Sequence, residues 1–338
     1  MSAAPTRSRE IRLRSRPEGT PTADDFELAV VDVDPPGPGQ VQVRNLWMSV
    51  DPYMRGRMTT RKSYVPPFEI GQPLQGGAVG EVTASNAQGF APGDLVQSMF
   101  GWREAFNAAP SAGIQKLPAF DLPPEAYLGV AGLPGLTAFV GLTKIAKLKA
   151  HETIFVSAAA GAVGSVACQI AKITGATVIG SAGGAEKCAL LTEIGCDQVI
   201  DYKSEPDLTA ALARAAPDGL DVYFDNVGGS HLEAALECGK PFARFALCGM
   251  ISRYNDETAA AGPANIALAV GRSLKLQGFI VSNYFDLMPE FVHQMAHWIA
   301  EGRVQWKQTV DRGVDKAPSA FIKLFKGENV GKMLVKLT

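Results

Sequence analysis

Two rhythms of apolar and polar positions divide the chain. From about residue 9 to 125, short β-like runs are broken every few residues by proline and glycine, as at Pro35-Pro36-Gly37-Pro38-Gly39, Pro66-Pro67, Gly76-Gly77 and Pro92-Gly93-Asp94. Ile11 and Leu13 alternate with Arg12 and Arg14, the period of two of a strand with one wet face, and Val41-Gln42-Val43 and Ala78-Val79-Gly80-Glu81-Val82 are similar runs. Short strands with frequent turns predict an all-β unit. From about 128 to 300, strand-like runs occur at 153–158, 176–181, 197–202, 220–225, 242–249 and 274–281, with helical segments between most of them. Gly175 and Gly195 stand where C-terminal helix caps belong. This alternation predicts βαβ units and a parallel sheet, and six such strands match a doubly wound dinucleotide-binding sheet. A helix over Ala317–Lys326 and a strand over Gly331–Leu337 are expected to close the chain. The expected fold class is therefore α/β, a Rossmann-type sheet joined to a β unit, with no internal repeat.

Two uncharged stretches, Ala126–Thr143 and Thr153–Ala171, reach membrane-spanning length. The first is interrupted by Gly129, Gly132, Pro134, Gly135 and Gly141; the second reads as strand, turn and helix, so both are expected in a protein core rather than in lipid. Arg7, Arg9, Arg12, Arg14 and Arg16 resemble a transit peptide, but Pro5 and Pro17 bracket them and oppose an amphipathic helix.

Composition narrows the function. Of the 338 residues 46% are apolar and 20% charged, which suits folded domains, about two at this length. The net charge of −2 provides no basic excess for a phosphate backbone, so nucleic acid is not an expected partner. The five cysteines, none before Cys168, suggest no disulfide framework; reduced thiols in the cytoplasm are the expectation.

The first chemical motif is Ala158-Ala159-Ala160-Gly161-Ala162-Val163-Gly164, between a predicted strand and helix. Gly161 would admit a pyrophosphate close to the backbone, and Gly164 would let helix and strand pack tightly, with the helix N-terminus facing the phosphates. A lone glycine pattern could be a structural turn, but the βαβ unit around this one has the length a dinucleotide site requires. In NAD sites a carboxylate follows about 20 residues later to hold the ribose 2′-OH. Here Val178-Ile179-Gly180-Ser181-Ala182-Gly183-Gly184-Ala185-Glu186-Lys187 offers small residues and then a cation, which suits a 2′-phosphate and hence NADP. Glu186 is expected to act on the helix dipole.

Absences matter as well. No His precedes His151 and no Cys precedes Cys168, so the first domain has no usual ligands for a catalytic zinc. His293 and His297 lie one turn apart on a predicted helix with Gln294, not Glu, between them, and are expected to be structural. Gly327-Glu328-Asn329-Val330-Gly331-Lys332 is one residue short of a phosphate loop. No Tyr-x₃-Lys pair and no G-x-S-x-G elbow occurs.

The chain resembles the zinc-independent medium-chain dehydrogenase/reductases, in particular the group of prostaglandin reductases, leukotriene B4 dehydrogenases, alkenal double-bond reductases and bacterial curcumin reductases. The motifs that carry this are Ser15-Arg16-Pro17, Val50-Asp51-Pro52-Tyr53-Met54-Arg55-Gly56, the glycine turn, Ala182 to Lys187, Ile200-Asp201-Tyr202-Lys203, Phe224-Asp225-Asn226-Val227-Gly228-Gly229 and Glu328 to Lys332. The resemblance implies a GroES-like β-barrel domain (1–127 and 302–338) and a Rossmann domain (128–301). It implies that Gly161, Ala162, Val163 and Gly164 hold the pyrophosphate and that Lys187 and Tyr202 clamp the 2′-phosphate. Asn226, Asn329, the segment Cys248, Gly249, Met250, Ile251, Ser252, Arg253, Tyr254, and Phe279, Ile280 and Val281 would contact the rest of NADPH; Tyr53 and Tyr64 would contact substrate. The implied activity is NADPH-dependent reduction of the C=C bond of α,β-unsaturated ketones or aldehydes, with Tyr254 as oxyanion donor, in a homodimer. A quinone oxidoreductase on the same fold, or a non-catalytic NADPH binder, are the alternatives at this point.

Overall fold

The computed structural model describes residues 4–256, 258 and 261–337. The chain forms two compact units. One holds the chain up to Leu128, Gln308–Asn329 and the residues from Met333 on; the other holds Gly129–Lys307 and Val330–Lys332.

The second unit is built on six parallel strands: β1 (Thr153–Val156), β2 (Thr177–Ala182), β3 (Gln198–Asp201), β4 (Leu220–Asp225), β5 (Gly239–Leu247) and β6 (Lys275–Gly278). Their order across the sheet is β3-β2-β1-β4-β5-β6. That is the doubly wound dinucleotide-binding order, in which the chain reverses direction of travel between β1 and β4. Helices α1 (Gly164–Thr174), α2 (Ala185–Glu193), α3 (Leu208–Ala215) and α4 (Gly229–Cys238) make the crossovers. Ile154, Phe155, Val156, Val178, Ile179, Val222, Tyr223 and Phe224 of β1, β2 and β4 are buried, as a covered parallel sheet requires. Gly175 caps α1 in the left-handed region at φ 88°, and Gly195 follows α2 at φ 87°, where a side chain would be strained.

All six sequence-predicted strands form, though β1 and β5 each end two residues early, at Val156 and Leu247, and two limits are displaced further. β5 begins at Gly239 rather than 242, and Phe242 within it takes a left-handed φ of 66°. β6 stops at Gly278, because the chain passes into a 3-10 turn from Val281. The apolar stretch near 126–143 contains the helix Leu133–Val140, continued by a π turn over Gly141–Ile145. Among the described residues no helix is long and apolar enough to cross a membrane.

The first unit is the β unit. Val41–Ser49 pairs antiparallel with Ala78–Ser85, which pairs in turn with Leu95–Ser98; Thr6–Leu13 and Phe26–Val33 form a separate antiparallel pair. The C-terminal helix occupies Ala317–Lys326 as predicted, and its Phe321 joins this unit's core. There Trp102 stacks on Phe26 at 6.0 Å and meets Phe321 edge-on at 6.0 Å.

The core of the second unit centres on Phe155, which is fully buried and stacks on Tyr223 at 5.3 Å. Truncating such a ring removes its burial and leaves a cavity. Phe155→Ala should therefore lower stability by about 3–5 kcal/mol, read as a shift in the urea midpoint. A shift equivalent to less than about 1 kcal/mol would show that this core collapses around the gap.

Candidate active site

The carboxyl ends of the strands carry the candidate residues, and the turn after β1 is the tightest feature there. Ala158 has φ 47°, the Gly161 N–H donates to the Ala158 carbonyl at 3.0 Å, and the Ala159 N–H donates to the Ser181 carbonyl of β2 at 2.9 Å. A Cβ on Gly164 would lie 2.4 Å from the Ala158 oxygen and 2.7 Å from the Ala159 Cα, so only glycine lets α1 begin this close to β1. The dipole at the N-terminus of α1 favours an anion beside this turn. Gly331 bridges to Gly161 and donates to the Ala160 carbonyl at 2.8 Å, which ties the segment Val330–Lys332 to the turn; Asn329 directly precedes it.

The end of β2 holds no carboxylate. Ser181 is fully buried with its hydroxyl unpartnered among the described residues, and Ala182-Gly183-Gly184 leads into α2. A Cβ on Gly183 would lie 2.9 Å from both the Cζ and the hydroxyl of Tyr202, and 2.9 Å from the Cε of Lys203. Lys187 lies in the first turns of α2, where burial, and then the charge of Lys203, hold its ammonium below the usual lysine range. Asp201, at the end of β3, accepts the Gly184 N–H at 2.9 Å and the Lys203 N–H at 3.1 Å, bonds that hold its carboxyl below the usual range. Tyr202 and Lys203 thus border Gly183, with Lys187 close enough to feel the Lys203 charge. That arrangement fits the 2′-phosphate of NADP and not a 2′-OH seeking a carboxylate.

The ends of β4 and β5 are joined through Asp225. Its carboxylate Oδ1 accepts the Tyr223 hydroxyl at 2.7 Å and the N–H groups of Val227 and Gly228 at 2.9 and 2.8 Å, with the Ser157 hydroxyl at 3.3 Å. Its backbone carbonyl accepts the N–H groups of Cys248 and Gly249 at 2.9 and 3.0 Å. Burial pushes the Asp225 carboxyl up against these bonds, and Oδ2 has no partner among the described residues. Asn226 donates its side-chain amide to the Ser157 carbonyl at 2.8 Å. Ile251 and Ser252 then donate their N–H groups to the carbonyls of Asn226 and Val227 at 3.3 and 3.2 Å.

These contacts place Cys248 to Tyr254 on the β4–α4 turn. Ile251–Arg253 is a 3-10 turn, and the Tyr254 hydroxyl accepts the Met250 N–H at 3.2 Å. The Cys248 thiol is pushed up to about 12 by burial and then by Asp225. Phe279 and Ile280 lie just past β6, and Val281 opens the following 3-10 turn. In the first unit, Tyr53 packs against the core, with burial and then Asp51 raising its phenol, whereas Tyr64 is 58% exposed. Among the described residues no group of three or more His, Cys, Asp or Glu side chains could hold a metal ion. His293 and His297 meet edge to face at 4.6 Å on the helix Met288–Ala300.

Reading motifs missed several residues that build this edge. Asp225 was visible only as a neighbour of Asn226, and Ser157 and Tyr223 carried no signal. His231 of α4 was also missed. It is buried, with neither ring nitrogen partnered among the described residues, between Phe155 at 6.3 Å and the edge of Tyr202 at 5.2 Å.

Comparison with known proteins gives a consistent picture. The family description "N-terminal domain of oxidoreductase" matches residues 9–117, and "Zinc-binding dehydrogenase" matches residues 162–301. The NADP(+)-dependent 2-alkenal reductase of Nicotiana tabacum is 40% identical over 336 residues, covering 98% of each chain. The NADPH-dependent curcumin reductase of Escherichia coli is 40% identical over 337 residues, covering 98% of this chain and 97% of the other. The crystal structure of CurA from Vibrio vulnificus in complex with NADPH superposes with a TM-score of 0.92 at 39% identity, covering 98% of this chain and 99% of that one.

Burial lowers the His231 pKa from 6.5 to about 4, so the folded state keeps this ring neutral while the unfolded chain takes up a proton below 6.5. Stability from this group is then present above 6.5 and lost as pH falls through about 4, by roughly 3 kcal/mol. His231→Leu should remove that share of the acid destabilisation, seen by comparing urea midpoints of the two proteins at pH 7 and pH 4.5. Parallel midpoint losses would show that the ring titrates normally.

Proposed function

Because the chain belongs to the medium-chain dehydrogenase/reductase family, in the group of the prostaglandin, 2-alkenal and curcumin reductases, we propose that it reduces the C=C bond of α,β-unsaturated ketones and aldehydes with NADPH. The observation that carries the cofactor choice is the carboxylate-free end of β2, with Tyr202 and Lys203 beside Gly183 and Lys187 in the helix that follows. Full-length similarity to enzymes named for alkenal and curcumin reduction supports the bond that is reduced.

NADPH, when bound, supplies a hydride to the substrate's β-carbon. Gly161, Ala162, Val163 and Gly164 with the N-terminus of α1 hold the pyrophosphate, and Lys187 and Tyr202 hold the 2′-phosphate. Asn226, Cys248 to Tyr254, Phe279 to Val281 and Asn329 orient the nicotinamide half. Negative charge grows on the substrate's carbonyl oxygen as the enolate forms, and a fixed donor there lowers the barrier. Tyr254 is that donor, to the oxygen or to the ribose. Its hydroxyl accepts the Met250 N–H at 3.2 Å, and a phenol can donate as well as accept. Water protonates the α-carbon. Tyr53 and Tyr64 contact the substrate. The reading includes a GroES-like domain of residues 1–127 and 302–338, a Rossmann domain of 128–301, and a homodimer in the cytoplasm.

A panel of enones, enals and quinones with NADPH and NADH tests this reading: the saturated carbonyl should be the product, identified by mass and NMR, and an allylic alcohol or a preference for quinones would overturn it. Lys187→Ala should raise the NADPH KM about tenfold or more and leave NADH nearly unchanged; equal losses would remove Lys187 from the clamp. Tyr254→Phe should keep NADPH affinity within a few-fold and lower kcat on enones by about 10- to 1,000-fold. An unchanged kcat would take Tyr254 out of the reaction. The purified protein should contain no stoichiometric zinc by metal analysis, and a zinc needed for turnover would contradict the zinc-free placement.

A further inference from the structure

We propose that Lys203 is a second cation of the 2′-phosphate site and sets the preference for NADPH over NADH together with Lys187. The inference rests on the reading that this site takes NADPH.

The geometry begins with Gly183. The space its missing side chain leaves open is bounded by the Tyr202 phenol and by the Lys203 Cε, each 2.9 Å from where a Cβ would stand. The side chain of Lys203 therefore runs over the β2–α2 turn rather than away from it. Its backbone is fixed there, since Asp201 Oδ1 accepts the N–H groups of Lys203 and Gly184 together and so clasps the β3 end to the start of α2. From the other side, Lys187 feels the Lys203 charge as well as its own partial burial. The Tyr202 phenol and the Lys203 side chain thus meet at Gly183, past the end of a strand that carries no carboxylate, with the Lys187 ammonium close enough to feel the Lys203 charge. Asp201 and Glu186 are the nearby acids. Asp201 accepts the two backbone N–H groups and also interacts with the Lys203 charge, while Glu186, in the first turn of α2, interacts with Lys187.

Bringing two like charges together opposes folding unless something offsets them. A 2′-phosphate carries up to two negative charges and three acceptor oxygens, which match two ammoniums and a phenol. A neutral 2′-OH offers either cation a hydrogen bond but no opposite charge. Lys203 should therefore contribute to discrimination and little to binding of the rest of the dinucleotide. It is more exposed than Lys187, so its share is the smaller.

The test is direct binding by the full-length protein, measured calorimetrically or by nicotinamide fluorescence, with NADPH, NADH, 2′,5′-ADP and 5′-AMP. Lys203→Gln should weaken NADPH and 2′,5′-ADP by about five- to tenfold and change NADH and 5′-AMP less than about twofold. Lys203→Arg should keep most of the preference, which loss of a merely structural contact would not predict. Equal weakening of all four ligands, or none, in Lys203→Gln overturns the proposal. Lys187→Gln is the control: if it loses NADPH selectively while Lys203→Gln does not, only the role of Lys203 fails. If neither substitution changes the ratio of NADPH to NADH affinity, the assignment of the site to NADP fails as well.

Discussion

The carboxyl edge of the parallel sheet hangs on Asp225. Two loops leave that edge side by side, one after β4 and one after β5, and neither is held by strand pairing once it has left the sheet. Asp225 holds both: its side chain takes the N–H groups of the first loop, and its carbonyl takes the first two N–H groups of the second. Burying a carboxylate is costly unless it is well bonded. The Tyr223 hydroxyl and the backbone donors offset that cost on one oxygen only, and the carboxyl remains raised above its ordinary range. Asp225 thus fixes where both loops start, and the bonds of Asn226 to Ser157 and of Ile251 and Ser252 to Asn226 and Val227 carry that position on.

The opposite half of the edge is organised by what is missing. Gly164 lets α1 start against β1, and Gly183 leaves the space that Tyr202 and Lys203 border. His231 packs edge-on to Tyr202 with no hydrogen bond to satisfy it among the described residues, and so acts through shape and stacking. The Tyr202 phenol is thus held between a buried ring and a turn of small residues. A site on rigid elements keeps its aim better than one on loops alone.

How much of this could be read in the sequence depended on whether the signal was local. The six strands are local: β-branched and aromatic runs ending in glycine turns place all of them, and the glycine turn after β1 and the cation in α2 follow from spacing. The edges of β5 and β6 were less legible. Phe242 adopts a left-handed conformation that its side chain disfavours, with its N–H donating to the Arg272 carbonyl, a tertiary contact that no local pattern announces. β6 ends early because Val281 starts a tight turn. Of the site, the motifs supplied the residues with a known spacing, but the Ser157–Tyr223–Asp225 cluster joins β1 to β4 across some 68 positions. His231 and Lys203 acquire meaning only once α4 and the end of β3 are folded onto Tyr202 and Gly183.

The chemistry of Cys248 follows from the same carboxylate. A thiol beside a helix N-terminus or a cation ionises easily and becomes a nucleophile. Cys248 has the reverse environment, half-buried and close to Asp225, which pushes its thiol up to about 12 and keeps it protonated at neutral pH. A thiol so held is neither a ready nucleophile nor a ready metal ligand. What the residue contributes is its backbone N–H, donated to the Asp225 carbonyl at the point where the chain leaves β5. The segment from Cys248 to Tyr254 thus starts from a fixed point on the Asp225 carbonyl.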